Sequence, residues 1–324
     1  MNNSSDNLMP KSIGTSHAKI ILIGEHSVVY SQPAIAFPLS NVKISVTTEA
    51  IADKQWIASR FYSGEIKNVP MNMHGIKKVV HYILSLLNKQ KQSFKLTIES
   101  EIPSERGMGS SAATIIAIIR SLYAFFNTEI SREELLFIAN IAETTTHGSP
   151  SGIDAATTSS HEPIWFIKHK EAYSVPLNIE ATLVVADTGI KGQTGLTVGQ
   201  VRDRVLSSPD ATEKIIAELG QLTSMAKSQI TTDDAISLGH TLTRSHELLK
   251  NLGVSHPKLD FLVETSLSNG ALGAKLTGGG GGGCMIALVK TPEEAINLSH
   301  LLNRNGAIST WIQPLTKESQ DIEK

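Results

Sequence analysis

The chain has a single cysteine, Cys284, so no internal disulfide can form, and a reducing cytoplasm is the expected setting. No apolar run approaches the roughly 18 residues that a membrane span needs. The densest, IIAII at 115–119, has the length of a core helix segment. The first residues, MNNSSDNLMPKSIGTS, are polar and lack the apolar centre of a secretory signal, so residues 1–16 read as a polar N-terminal tail. An excess of one charge is missing too: 29 basic and 31 acidic side chains, net -2, are spread along the chain. Nothing electrostatic recruits nucleic acid or a membrane surface. G-x-x-x-x-G-K-[ST], H-R-D and D-F-G are all absent, which excludes a P-loop protein and a protein-kinase arrangement.

What is present is an ordinary globular composition, 40% hydrophobic and 19% charged over 324 residues, enough for two domains. AKIILIG (18–24) reads as a strand, followed after a polar break by VVY as a second short strand. NVKISVTTEA (41–50) alternates at period two, and FKLTIESEI (94–102) is a further strand. Between them, Ile76, Val79, Val80, Ile83, Leu84 and Leu87 mark one face of a helix over 73–88. Ser110 or Ser111 stands where the cap of a buried helix belongs, and SREE at 131–134 matches a capping box. The second half is helical over about 194–252. A helix, a strand GAKLTG, a strand CMIALVK, a helix opening TPEEA and a strand ISTWIQPL then follow. With one more strand from upstream, that tail has the pattern of a split βαβ sandwich, and a domain boundary is expected near residue 180.

Two glycine-bearing segments are candidates for chemistry. In PSERGMGSSAAT (103–114), Gly107 and Gly109 permit a tight turn before a helix start, whose unpaired N–H groups and positive dipole end suit an anion. An ordinary serine-capped glycine turn explains the segment equally well on these residues alone. GMGSSA also fits the dinucleotide pattern G-x-G-x-x-A, but PSER separates it from the strand and no acidic residue closes a following strand. The second segment is KLTGGGGGGC (275–284), six glycines between apolar stretches, which composition alone reads as a flexible linker.

Three polar residues complete a possible phosphoryl-transfer set. Lys19 opens an apolar strand, where a cation must snorkel or have a task. Glu143 lies near the end of a helix, where the macrodipole disfavours an acid unless a cation is at hand. Asp154 follows PSG in a tight polar loop. Phosphoryl transfer needs backbone donors, a lysine and Mg²⁺ on oxygen ligands, with a carboxylate at the attacking hydroxyl. His26 is available to hydrogen-bond a substrate, although a lone histidine after a strand is more often structural.

AKIILIGEHSVVY, PSERGMGSSAA and KLTGGGGGGC, in that order, resemble the three motifs of the galactokinase, homoserine kinase, mevalonate kinase and phosphomevalonate kinase (GHMP) superfamily. GEHSVVY, AETTTHGSPSGIDAATT and ADTGIKGQTG are most similar to its mevalonate kinase branch in the shorter bacterial form. The resemblance implies an α+β fold of two domains, residues 17–180 like ribosomal protein S5 domain 2 and residues 181–324 a ferredoxin-like α/β sandwich. It implies a cytoplasmic, ATP-dependent, Mg²⁺-requiring transfer to the C5 hydroxyl of mevalonate in isoprenoid synthesis, and it leaves a homodimer open. Carried over by position, it makes Asp154 the catalytic aspartate and Lys19 the lysine that polarises the hydroxyl. Ser111 and Glu143 become the magnesium ligands. Glu105, Arg106, Gly107, Met108, Gly109, Ser110, Ser111 and Ala112 become the ATP phosphate loop. Glu25, His26, Thr277, Gly278, Gly279 and Gly280 become the substrate side.

Other readings stay open: another GHMP small-molecule kinase such as phosphomevalonate kinase, or an idle metabolite-binding protein on this scaffold. Two residues depart from the family pattern. Gly279 replaces a usual alanine, which is expected to loosen the loop, and Ser31 replaces a usual glycine after VVY.

Overall fold

The computed structural model describes residues 11–147 and 151–315. Two compact units divide the chain. The first takes the chain up to Ala18, Lys43–Ile102 and Gly109–Ser159; the second takes Lys19–Val42, Pro103–Met108 and the chain from Ser160 on. Each unit is discontinuous in sequence, because strands β1 (Lys11–Ile23) and β2 (Ala34–Ala50) contribute residues to both. Among the described residues no helix is long and apolar enough to cross a membrane.

In the first unit the later part of β2 pairs antiparallel with β5 (Phe94–Ser100), from Ile44 opposite Ser100 to Ala50 opposite Phe94. β3 (Gln55–Ala58) runs parallel to β5, and β4 (Ser63–Glu65) closes the edge against β3. The alternation in the sequence is realised: Ile44, Val46 and Thr48 are buried between more accessible neighbours. Helix α1 (His74–Leu86) buries Val79, Val80, Ile83 and Leu84, four of the six positions expected on its inner face. Helix α2 (Ser110–Phe125), with IIAII wholly buried, packs against α1, α3 (Arg132–His147) and the short α4 (Ile153–Thr158). α3 starts as expected, with Ser131 Oγ accepting the Glu134 N–H at 3.1 Å. The Glu134 carboxylate accepts from the Tyr123 hydroxyl at 2.8 Å. The THGSP stretch where α3 was expected to stop includes residues 148–150, which lie outside the described residues.

β1 begins at Lys11, well inside the segment read as a polar tail, of which residues 1–10 lie outside the described residues. Its first half alternates, but with small polar residues: Gly14 and Ser16 are buried while Lys11, Ile13 and Thr15 are exposed. Hydrophobic periodicity is silent there. Two inward hydroxyls are satisfied by backbone, Ser12 Oγ by Ser121 O (2.8 Å) and Ser16 Oγ by Thr158 O (2.7 Å).

The second unit holds a four-stranded antiparallel sheet of β8 (Thr182–Asp187), β9 (Gly273–Thr277), β10 (Cys284–Val289) and β11 (Ser309–Pro314), in the order β11-β8-β10-β9. β8 is the upstream strand that the tail pattern required. This is the strand order of a split βαβ sandwich, with four helices inserted between its first two strands. These are α5 (Thr194–Ser207), α6 (Pro209–Thr231), α7 (Ala235–Asn251) and α8 (Pro257–Ser268). α9 (Pro292–Arg304) opens with a complete capping box between Thr291 and Glu294. The first residues of β2 pair with β6 (Ile164–Phe166), which pairs in turn with β7 (Tyr173–Ser174).

VVY is not a strand. Ser27–Tyr30 form one 3-10 turn, entered through His26 (φ 59°) and left through Ser31 (φ 62°). The turn is closed by Val29 N–H on His26 O (3.1 Å) and Gln32 N–H on Ser27 O (3.2 Å). The apolar run misled because two left-handed residues bracket it, and those leave no periodic trace. Ser31 is exposed and left-handed, a conformation that costs a residue with a Cβ about 1–2 kcal/mol. Ser31→Gly is therefore expected to stabilise the protein by about 0.5–1 kcal/mol after the entropy of the unfolded glycine is subtracted. Calorimetry should find Tm raised by about 1–3 °C.

Candidate active site

In the second unit the PSERGM segment is held by its side chains and backbone alike. Arg106 Nε donates to Asp187 Oδ2 (2.9 Å) and its NH2 to Gly189 O (3.1 Å), with Asp187 fully buried at the end of β8. Glu105 O accepts Gly192 N–H (3.1 Å), whereas the Glu105–Lys191 ion pair is exposed and contributes little. Lys191 holds the Glu105 carboxyl below its usual range. Met108 is buried, and its carbonyl accepts the backbone N–H of Lys19 at 3.0 Å. Lys19 itself is buried, so it does not snorkel to solvent.

The glycine run is no linker. It is the connection of the β9–β10 hairpin, whose last pair is Thr277 opposite Cys284. Gly278, Gly280, Gly281, Gly282 and Gly283 all take positive φ, which a side chain would strain. Three of its six carbonyls are tied down: Gly279 O accepts from His26 Nε2 (2.9 Å) and Thr197 Oγ1 (2.7 Å), Gly280 O from Gln193 N–H (3.2 Å), and Gly283 O from Thr188 Oγ1 (2.7 Å). Among the described residues the N–H groups of Gly279 and Gly280 make no hydrogen bond. The run meets the PSERGM segment directly, since a Cβ placed on Gly107 would lie 3.9 Å from Gly278 Cα.

Gly279 does not merely loosen the loop, as its departure from the family pattern suggested. A Cβ there would lie 2.7 Å from Thr194 Cα and 2.3 Å from Thr194 Oγ1. The first turn of α5 occupies that space, and alanine would have to push backbone aside.

Glu25 and His26 stand at the end of β1, both buried. Glu25 Oε1 is paired with Lys275 Nζ, and the same ammonium donates to Leu276 O (2.6 Å). Burial pushes the Glu25 carboxyl up and the Lys275 ammonium down, each opposed by the other's charge. Burial, helped by Lys275, also lowers His26, which favours a neutral ring. Thr277 spends its hydroxyl on β1, accepting Ile21 N–H (3.0 Å) and donating to Ile21 O (2.8 Å). Sequence reasoning missed Lys275. The signal was there: a lysine inside the otherwise apolar β9, the same anomaly that singled out Lys19.

In the first unit Gly109, at φ 74°, precedes α2 and makes no side-chain cap, so Ser110 and Ser111 are the first helical residues and not the cap. Ser111 is exposed, and Ala112 is buried beneath it. Glu143 is half-buried in the last turns of α3, on which α2 packs. Asp154 is not in a loop but in the first turn of α4, entered through Gly152 at φ 81°. Six residues are too few for a period to register. The carbonyl end of α4 is held by Arg132 NH2 on Ala156 O (3.3 Å), Arg120 NH2 on Ser159 O (3.1 Å) and Ser16 Oγ on Thr158 O (2.7 Å). The second unit thus gathers Lys19, Glu25, His26, Glu105 to Met108 and Thr277 to Gly280. The first carries Gly109 to Ala112, Glu143 and Asp154.

The GHMP kinases N terminal domain matches residues 74–161, and the GHMP kinases C terminal domain matches residues 226–308. Fold and motifs together are those of a GHMP kinase. Mevalonate kinase of Pyrococcus abyssi is 33% identical over 98% of this chain and 99% of its own. The crystal structure of mevalonate kinase from methicillin-resistant Staphylococcus aureus shares 32% identity with a TM-score of 0.73, over 94% of this chain and 99% of that one. That of L. major mevalonate kinase in complex with R-mevalonate shares 25% identity with a TM-score of 0.79, over 94% of this chain and 96% of that one. The chain belongs to the mevalonate kinase family.

Proposed function

We propose that the protein transfers the γ-phosphoryl group of ATP to the C5 hydroxyl of (R)-mevalonate, giving ADP and 5-phosphomevalonate, as a cytoplasmic step of isoprenoid synthesis. The observation that carries the reading is the glycine hairpin. The carbonyls of Gly279, Gly280 and Gly283 are anchored, while the N–H groups of Gly279 and Gly280 stay available to an anionic ligand beside the PSERGM segment. In this reading the PSERGM segment, Gly109 and the uncapped start of α2 at Ser110 to Ala112 cradle the ATP phosphates.

Asp154 takes or orients the proton of the attacking hydroxyl, and Lys19 stabilises the oxygen as it gains charge. Glu25, His26 and the residues from Thr277 to Gly280 form the acceptor side. Ser111 and Glu143 offer one hydroxyl and one carboxylate oxygen on packed helices. That hard, two-ligand set fits Mg²⁺, which takes its remaining positions from water and phosphate. When bound, the ion neutralises charge on the phosphate oxygens.

A coupled ADP-release assay across mevalonate, phosphomevalonate, galactose and homoserine tests the reading. Turnover is expected on mevalonate and is expected to stop when Mg²⁺ is chelated. Absence of turnover on mevalonate, with or without turnover on another acceptor, overturns it.

A further inference from the structure

We propose that Lys275 is a positioning residue of this reaction: it holds the Glu25 carboxylate ionised and oriented, with Oε2 open to a hydrogen-bond donor of the bound acceptor. The inference rests on the mevalonate kinase reading above.

The Lys275 and Glu25 side chains are 0% and 1% exposed, and their charges meet inside the second unit, 250 residues apart in sequence. A buried ion pair is a poor device for stability alone, because desolvation offsets its attraction and apolar residues of the same volume serve as well. Its presence calls for another task. Lys275 is fixed from two sides, by Glu25 Oε1 and by Leu276 O, so the ammonium cannot swing away from the strand that carries it. Glu25 is held through Oε1 by Lys275, and the backbone at Glu25 and Gly278 also favours its charged form. Its Oε2 is buried and accepts no hydrogen bond among the described residues, a condition that protein interiors usually relieve with a water, an ion or a ligand group.

The next residue along the chain ties the same corner to the glycine hairpin, through His26 Nε2 on Gly279 O. Lys275 sits two residues before Thr277, which fastens β9 to β1 at Ile21. Charge pair, imidazole and threonine hydroxyl therefore set the Glu25 carboxylate and the hairpin as one piece. The titratable groups around this pair include Lys250 of α7, whose ammonium pairs with Asp260 at 3.1 Å. Lys275 faces Glu25 from β9, His26 adjoins it, and His246 of α7 accepts Leu276 N–H (3.2 Å) through Nδ1 with Asp260 behind it.

The test uses Lys275→Met and the double variant Lys275→Met/Glu25→Gln in the full chain. Lys275→Met is expected to lower kcat/KM for mevalonate at least tenfold at pH 7, mainly through KM, with KM for ATP within twofold of the parent. Without its cation, Glu25 keeps its proton to higher pH. The loss relative to the parent should therefore shrink as pH rises and deepen as it falls. The double variant removes both charges and should recover the melting temperature but not kcat/KM, with a flat profile. Recovery of kcat/KM in the double variant would make the pair merely structural and overturn the proposal. So would a Lys275→Met enzyme within twofold of the parent at every pH. If Lys275→Met alone fails to fold, the double variant decides. Parent turnover is measured first: silence on mevalonate sinks the substrate reading, and the variants are then compared on whichever acceptor is phosphorylated.

Discussion

Asp154→Asn is expected to lower kcat on mevalonate by on the order of 10²–10⁴-fold while ATP affinity and the melting temperature stay near those of the parent. The substitution is nearly isosteric: it replaces one carboxylate oxygen with an amide NH2 and so removes the charge and the basicity. Asp154 lies in the first turn of a helix whose opposite end is clamped by Arg120, Arg132 and Ser16, so the side chain is presented from a fixed base. Its partial exposure means that no core packing is disturbed. A loss confined to kcat would mark an interaction made only in the transition state, whereas a loss shared with mevalonate KM would mark ground-state binding. ADP release gives the rate, and calorimetric titration with ATP gives the affinity. A kcat within a few-fold of the parent would remove Asp154 from its proposed role.

Much of this architecture was legible in the residues because its periods are strong. Val79, Val80, Ile83 and Leu84 announced α1. The alternation through Ile44 and Val46 announced β2, and the hairpin flanks GAKLT and CMIALV were visible as apolar runs. What was hidden depended on backbone conformations without a composition signature. His26 and Ser31 turned VVY into a 3-10 turn, Gly109 displaced the serines from the cap of α2, and Gly152 opened a helix around Asp154. The start of β1 was hidden for another reason, since its inward residues are glycine and serine and not hydrocarbon. At the candidate site, motif spacing pointed to the glycine segments and to Lys19. It did not reveal Lys275, Arg106–Asp187 or the Thr194 backbone against Gly279, because these are contacts between distant parts of the chain.

Gly273→Ala is expected to destabilise the protein by about 3 kcal/mol or more, lowering Tm by about 6–12 °C. β9 is the edge strand of its sheet, and α7 covers that edge. Two strand N–H groups that an edge leaves unpaired are taken by α7 side chains: Ala274 N–H by Thr243 Oγ1 (3.3 Å) and Leu276 N–H by His246 Nδ1 (3.2 Å). Burial lowers the His246 pKa to about 4, so the ring remains a neutral acceptor at neutral pH. The close approach needs glycine on both sides. A Cβ on Gly273 would lie 1.9 Å from Gly239 O and 2.5 Å from Gly239 Cα, and one on Gly239 would lie 2.2 Å from Leu272 O. These are backbone atoms, so no rotamer change relieves the overlap. The helix must lift off the strand and give up both hydrogen bonds, along with the register that sets Lys275 and Thr277. Neither glycine needs a positive φ, so the entropy that alanine would save in the unfolded chain, about 0.4–1 kcal/mol, is the only opposing gain. Gly199→Ala in α5 supplies the control: nothing lies within 4 Å of its Cβ, and helix propensity there should raise stability by about 0.5–1 kcal/mol. Thermal melts that moved the two variants in the same direction would show that α7 yields freely, and that glycine contact is not what seats β9.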